Sequence, residues 1–180
     1  MSAVATLVPV EQYLATSYSP DCEYVDGEIV DRNLGEFNHS FLQSRVLLLF
    51  GDLEKRFPVL GLTEQRLRVA DAGSRKRIRI PDVCLMRRPF PKERVLTTPP
   101  LLVIEVLSPE DRLHRVLEKV KDYIGFGVGA VWVVDPAEQA LYRADLLGLH
   151  KVPDATLPIP ELGVELDLRP VFAELEQDTQ

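Results

Sequence analysis

Two carboxylates occupy positions where a carboxylate is costly. Glu105 interrupts Leu101-Leu102-Val103-Ile104-Glu105-Val106-Leu107, a run otherwise apolar on both faces. Asp82 follows Ile78, Ile80 and Pro81 and shares their face by the period-two rule. An ionised carboxylate in such a setting needs a metal, a cation or hydrogen bonds to offset its lost hydration. Two of them on adjacent buried strands offer hard oxygen ligands to a divalent cation of the magnesium type, which keeps waters for a substrate phosphate. The plainer alternative is that each acid caps a neighbouring loop or pairs with an arginine.

The elements that must position these acids follow from local patterns. The Glu105 run reads as a strand buried in the centre of a sheet. After it, Ser108 as N-cap, Pro109 at the first helical position and Asp111 two places further predict a helix start. Leu113, Val116, Leu117, Val120, Tyr123 and Ile124 form that helix's buried stripe. Ala130-Val131-Trp132-Val133-Val134 is a second buried strand, so the strand–helix–strand order predicts a parallel crossover. Upstream, Asp26-Gly27 is a two-residue hairpin signal with Glu28 just beyond it. Asn38 predicts a helix start, with His39 in the first turn and Leu42, Val46, Leu49, Phe50 and Leu53 at helical spacing. Leu62 to Ala70 and Arg75 to Met86 read as strands, the second made irregular by Pro81, which has no N–H to donate. Shorter strands are expected near 140–144, 149–152 and 164–168, and a final helical turn near 170–175. The fold class expected is α/β, with a central mixed β-sheet flanked by helices, in a single domain over residues 1–180.

Composition excludes several classes. The 180 residues carry 21 basic and 28 acidic side chains, a net charge of −7, so the chain as a whole does not attract polyanions or anionic lipid. No apolar run approaches the roughly 20 residues that cross a bilayer, and no basic-then-apolar leader is visible. Cys22 and Cys84 form no CxxC pair, so two reduced thiols in a cytoplasmic protein are expected. Gly125, Gly127 and Gly129 follow a helix instead of a strand, which rules out a dinucleotide loop.

The order Pro81-Asp82, then Glu105 closing an apolar strand, then a helix, resembles the PD-(D/E)xK nuclease superfamily. Tyr24-Val25-Asp26-Gly27-Glu28, Asn38-His39, Pro81-Asp82-Val83, Ile104-Glu105-Val106-Leu107-Ser108-Pro109, Lys119 to Tyr123 and Trp132 to Pro136 occur in sequence. That series is similar to the Uma-type family of proposed restriction endonucleases, long carried as a domain of unknown function. The resemblance implies a restriction-endonuclease-like core that binds Mg2+ or Mn2+ and hydrolyses DNA. It further implies that Asp82 and Glu105 are metal-binding acids, Glu28 an upstream acid, His39 a further polar site residue and Lys119 the lysine. By analogy with related nucleases it implies a homodimer as well.

This chain departs from the superfamily at Leu107, where the usual lysine would stand. A lysine must reach in from elsewhere, and at about 100° per residue Lys119 and Lys121 flank the helix stripe symmetrically. Spacing permits either; the family pattern favours Lys119. The implied chemistry is metal-assisted hydrolysis with a lysine orienting or deprotonating the attacking water. A nuclease-fold binding or regulatory module without useful catalysis is the alternative, and RNA or another phosphoester is a further possible substrate. Residues 75–94 hold eight basic side chains against Asp82 and Glu93. Arg75, Lys76, Arg77 and Arg79 are the expected phosphate contacts there, unless they merely blunt a strand edge.

Overall fold

The computed structural model describes residues 7–32 and 36–177. Helix α1 (Val10–Ala15) precedes the hairpin β1 (Cys22–Val25) and β2 (Glu28–Asp31), then helix α2 (Phe37–Glu54). Strands β3 (Val59–Thr63), β4 (Leu67–Ala72), β5 (Arg75–Arg79), β6 (Val83–Arg87) and β7 (Leu102–Val106) lead to helix α3 (Leu113–Phe126). Strands β8 (Ala130–Asp135), β9 (Ala140–Asp145), β10 (Gly148–Val152), β11 (Thr156–Ile159) and β12 (Val164–Asp167) follow, and α4 (Arg169–Gln177) closes the fold.

A six-stranded sheet runs in the order β10-β9-β8-β7-β6-β3, and a four-stranded sheet in the order β2-β1-β5-β4. Within the larger sheet β7 and β8 are parallel, joined through α3, while the other neighbours are antiparallel. This is a mixed sheet flanked by helices, as the sequence predicts. Side chains alternate across it. Leu102, Ile104, Val106, Trp132 and Val134 pack with Leu42, Val46 and Phe50 of α2 and Val171 and Phe172 of α4. Val103, Val131 and Val133 face the other way, against Val116, Val120 and Tyr123 of α3. Glu105 shares this second face by strand periodicity, and therefore lies under α3.

Two expected strands are each broken, and the break builds the site. The stretch Leu62–Ala70 splits at Glu64, whose φ is 51°, so that β3 belongs to the large sheet and β4 to the small one. Arg75–Met86 splits at Ile80-Pro81-Asp82 in the same way into β5 and β6. Pro81 cannot continue a ladder, and the period-two argument that aligned Asp82 with Ile78 does not carry across it. The two crossings meet where the Glu64 N–H donates to the Asp82 carbonyl at 3.3 Å. Asp82 thus sits on the seam between sheets, at the entrance to β6.

Helix starts also differ from the sequence expectation. Helix α2 begins at Phe37, with Glu36 as N-cap, so Asn38 lies within its first turn. Helix α3 begins at Leu113 instead of Pro109. The Asp111 carboxylate accepts from the Ser108 N–H at 2.7 Å, the bond the capping pattern predicts, and from the Ser108 hydroxyl at 3.0 Å. That closes a separate turn over residues 108–111, finished by the Asp111 N–H donating to the Ser108 carbonyl. At the other end Gly127 takes a left-handed φ of 99°, and the Val128 N–H returns to the Tyr123 carbonyl, a glycine-terminated helix end. The hairpin follows its sequence signal: Asp26 and Gly27 both have positive φ, and Val25 pairs with Glu28.

Candidate active site

A cavity of about 490 Å³ opens between β2, the seam at Asp82 and the first turns of α3. Asp82 and Glu105 are on its floor, 5% and 6% exposed. The two acids are coupled through the backbone, because the Val106 N–H donates to Asp82 Oδ2 at 2.8 Å. That bond fixes the Asp82 carboxylate beside the strand end that carries Glu105.

Helix α3 resolves which lysine reaches in. Lys119 Nζ donates to Glu105 Oε2 at 2.6 Å, while Lys121 is exposed. One turn further along the same face, the Tyr123 hydroxyl donates to Glu105 Oε1 at 2.5 Å. Residues four apart on a helix share a face, so one helix clamps both oxygens of one carboxylate. Lys119 also stands 3.4 Å from Glu23 Oε1.

Asp82 has its own partners. His39 Nε2 lies 3.2 Å from Oδ2 and Arg32 Nη2 donates to Oδ1 at 3.1 Å. Arg32 bridges onward to Glu64 at 3.4 Å. Gln43, one helical turn after His39, donates to the Asp82 carbonyl at 2.9 Å. Pairing with an arginine, the plainer alternative for a buried acid, is therefore present at Asp82 together with the shared cavity.

Charge states follow from this packing. Burial pushes Asp82 up, but the His39 hydrogen bond, the Lys119 and His39 charges and the Val106 N–H outweigh it and hold the carboxyl below the usual range. Burial pushes Glu105 up to about 7, with Asp82 and Glu23 adding to the rise and Lys119 opposing it. For Lys119 burial works downward, yet Glu105, Glu23 and Asp82 together hold the amine above its ordinary range. Lys119 is an ammonium at neutral pH. Burial likewise opposes protonation of His39, and the Asp82 hydrogen bond and charge raise it in spite of that.

Asp82, Glu105, Lys119 and His39 are therefore brought together. Glu28 is exposed and lines the same cavity from β2, without a contact to the other acids. Three further residues belong to the cluster: Glu23 and Arg32, to which the sequence assigns no site role, and Tyr123, expected only in the helix stripe. Glu23 is 3% exposed and accepts from Arg79 Nη1 and the Ile80 N–H, both at 2.9 Å. The criterion that singled out Glu105, an acid inside strand-forming sequence, applies equally to Cys22-Glu23-Tyr24-Val25. Tyr123 was visible as the residue one turn from Lys119. Arg32 has no sequence signal.

The expected phosphate contacts separate into two kinds. Arg79 is 3% exposed, with Nε 2.8 Å from Asp122 Oδ2 in addition to its bond to Glu23. Arg77 bonds Asp26, Glu118 and Asp122. Only Arg75 and Lys76 extend from the surface, near Asp122 at 3.5 Å and Asp71 at 3.0 Å respectively. The run's charge is largely consumed internally, latching β5 to α3 and to the hairpin turn.

Comparison with known proteins agrees with this architecture. A family model, Uma2, described as "Putative restriction endonuclease", matches residues 10–178. No curated protein matches the chain. Among solved structures, a putative nuclease of the DUF820 group from Anabaena variabilis is similar, with a TM-score of 0.78 and 21% identity. The match covers 93% of this chain and 99% of that one. At that identity the likeness concerns the fold.

Proposed function

Because the chain belongs to the Uma2 family of putative restriction endonucleases, we propose that it is a divalent-metal-dependent DNA endonuclease that hydrolyses phosphodiester bonds. The observation that carries this reading is the convergence of Asp82, Glu105 and Lys119, from three separate elements, on one cavity. The donor set suits Mg2+ or Mn2+: Asp82 and Glu105 offer hard oxygens, and the cavity leaves room for waters and a phosphate. Among the described residues no group of three His, Cys, Asp or Glu side chains forms a metal cage. Magnesium is commonly held by one or two carboxylates and the substrate itself. When bound, the cation would polarise the phosphoryl oxygens and make water a stronger nucleophile.

The chain's own groups have distinct tasks in this reading. Lys119, held as an ammonium by Glu105 and Glu23, orients the attacking water and offsets the negative charge developing on phosphorus. Its raised proton affinity favours that role over deprotonating the water. Tyr123 fixes the second oxygen of Glu105, and His39 with Arg32 fixes Asp82. Glu28 contributes from the rim. The same reading has the protein act in the cytoplasm as a homodimer, one centre per DNA strand. No helix among the described residues is long and apolar enough to cross a membrane.

Supercoiled plasmid incubated with Mg2+ or Mn2+ tests the proposal. Nicking or linearisation is expected for the native chain and none for Asp82→Ala or Glu105→Ala; cleavage that survives both substitutions overturns the site. A second reading, a nuclease-fold module without catalysis, draws on one observation: both oxygens of Asp82 and both of Glu105 already have an internal donor. Calorimetric titration with Mg2+ and Mn2+ separates the two, since absence of binding favours the module. Comparing duplex DNA, single strands and RNA as substrates then defines the phosphoester.

A further inference from the structure

A polyanion must be led to a floor of buried acids by a chain whose net charge is −7, so the cations near the cavity mouth decide where its backbone runs. Arg77 and Arg79 face Asp26, Asp122 and Glu23 inside the fold and have no free N–H fork to offer. The β2 wall presents Glu28 and Asp31. The opposite wall carries Glu110, Asp111 and Glu118 as well, but Asp111 accepts from Ser108 and Glu118 from Arg77. Arg112 and Arg115 line the cavity from the start of α3, both exposed, and neither makes a side-chain hydrogen bond or ion pair among the described residues.

Their placement on the helix is specific. Arg115 precedes Lys119 by four residues and Lys119 precedes Tyr123 by four, so the three share one face. Arg112, the N-cap residue, continues that line to the solvent. One stripe therefore runs from two unpaired guanidinium groups at the mouth to the ammonium and hydroxyl that hold Glu105 on the floor. Arg115 stands roughly 6 Å along the helix axis from Lys119 and Arg112 about 4 to 5 Å beyond it. A DNA strand advances about 3.4 Å along its axis per phosphate, so these steps match phosphates one or two nucleotides apart. Guanidinium is also the group whose planar fork fits phosphate oxygens in pairs.

We infer that Arg112 and Arg115 form the DNA-phosphate-binding track of this protein, laying the backbone along the first turn of α3 and delivering one phosphate to the acid pair. The inference rests on the endonuclease reading for the identity of the polyanion. It differs from the sequence expectation, which assigned that contact to residues 75–79.

Fluorescence anisotropy with a labelled short DNA duplex, in chelator so that nothing is cleaved, tests it on the full chain. The Arg112→Ala/Arg115→Ala double variant is expected to lose roughly tenfold or more in affinity, and its log K against log salt should be shallower by about 2. The Arg75→Ala/Lys76→Ala variant should stay within about twofold of the native chain, because its phosphate slope is unchanged. Arg112, Arg115 and Arg75 are exposed and Lys76 is half-buried at the surface, so unfolding midpoints should hold and report intact folding. Native-like binding by the first variant, or a loss carried by the second, overturns the inference. A native chain that binds through these arginines but cleaves nothing overturns the endonuclease reading alone. One that cleaves, with binding indifferent to them, overturns this inference alone. No binding by the native chain in chelator overturns this inference, and the endonuclease reading then stands or falls by plasmid cleavage with Mg2+ or Mn2+.

Discussion

Replacing Arg79 with methionine keeps most of the side-chain volume and removes one charge from a buried ionic cluster. Arg79 donates to Asp122 through Nε and to Glu23 through Nη1, at 2.8 and 2.9 Å, and its Nη2 is 2.7 Å from Asp122. All three residues are at most 5% exposed. Removing one partner of a buried pair typically costs about 3–5 kcal/mol, since the remaining charge is left without compensation. Here neither acid is fully orphaned: Asp122 keeps Arg77 at 3.1 Å, and Glu23 keeps the Ile80 N–H and Lys119. The loss should therefore fall at the low end, about 3 kcal/mol. For a chain of this size that lowers the unfolding midpoint by roughly 6–12 °C. Thermal unfolding followed by circular dichroism, in metal-free buffer at neutral pH, reads it. Arg75→Met is the control: its side chain is 65% exposed, and a change below about 0.5 kcal/mol is expected. The Arg79→Met/Asp122→Leu double variant should lose less than the sum of its single changes, because one stranded carboxylate is gone. A midpoint for Arg79→Met within about 2 °C of the native chain, together with strict additivity, would refute the assignment of Arg79 to the core of the fold.

Two further outcomes follow from the floor of the cavity. Glu105 is displaced from its ordinary 4.5 to about 7; a folded value above the unfolded one means its stabilising contribution is complete below 4.5 and is lost as pH rises through 7. Between about pH 4 and 8 the metal-free native chain should thus lose about 3 kcal/mol more than Glu105→Gln. Parallel pH–stability curves for the two in chelator would count against the burial argument. Lys119→Met should reduce plasmid cleavage by roughly two to four orders of magnitude, whereas Lys121→Met, altering an exposed residue, should leave it near native. Equal effects of the two substitutions would remove Lys119 from the chemistry.

Much of the site was legible from local pattern. A carboxylate in an apolar strand needs a compensating partner, which singles out Glu105 from sequence, while packing against α3 supplies that partner. The Asp26-Gly27 turn, the parallel crossover and the core face of α2 are local or nearly local properties, set by backbone preference and by apolar spacing over a few turns. They survive whatever the rest of the chain does. Glu23 meets the criterion that singles out Glu105, whereas Glu28, the acid that the family resemblance implies, lies at the rim.

What only tertiary structure decided are the matters that depend on partners distant in sequence. Spacing left Lys119 and Lys121 equivalent; contact with Glu105 and Glu23 distinguishes them, and those carboxylates come from β7 and β1. The basic run at 75–79 looked like a surface for polyanions until Asp26, Glu118 and Asp122 arrived to neutralise it. The Ser108–Asp111 bond formed as the capping pattern predicts, yet it closes an isolated turn, and α3 starts only at Leu113. Two apparent single strands were each divided between sheets at Glu64 and Pro81, which alone puts Asp82 on a seam facing Glu105. Sequence determined which residues are costly to bury, because that cost is intrinsic to each side chain. The fold decided what offsets the cost, because compensation is a property of pairs.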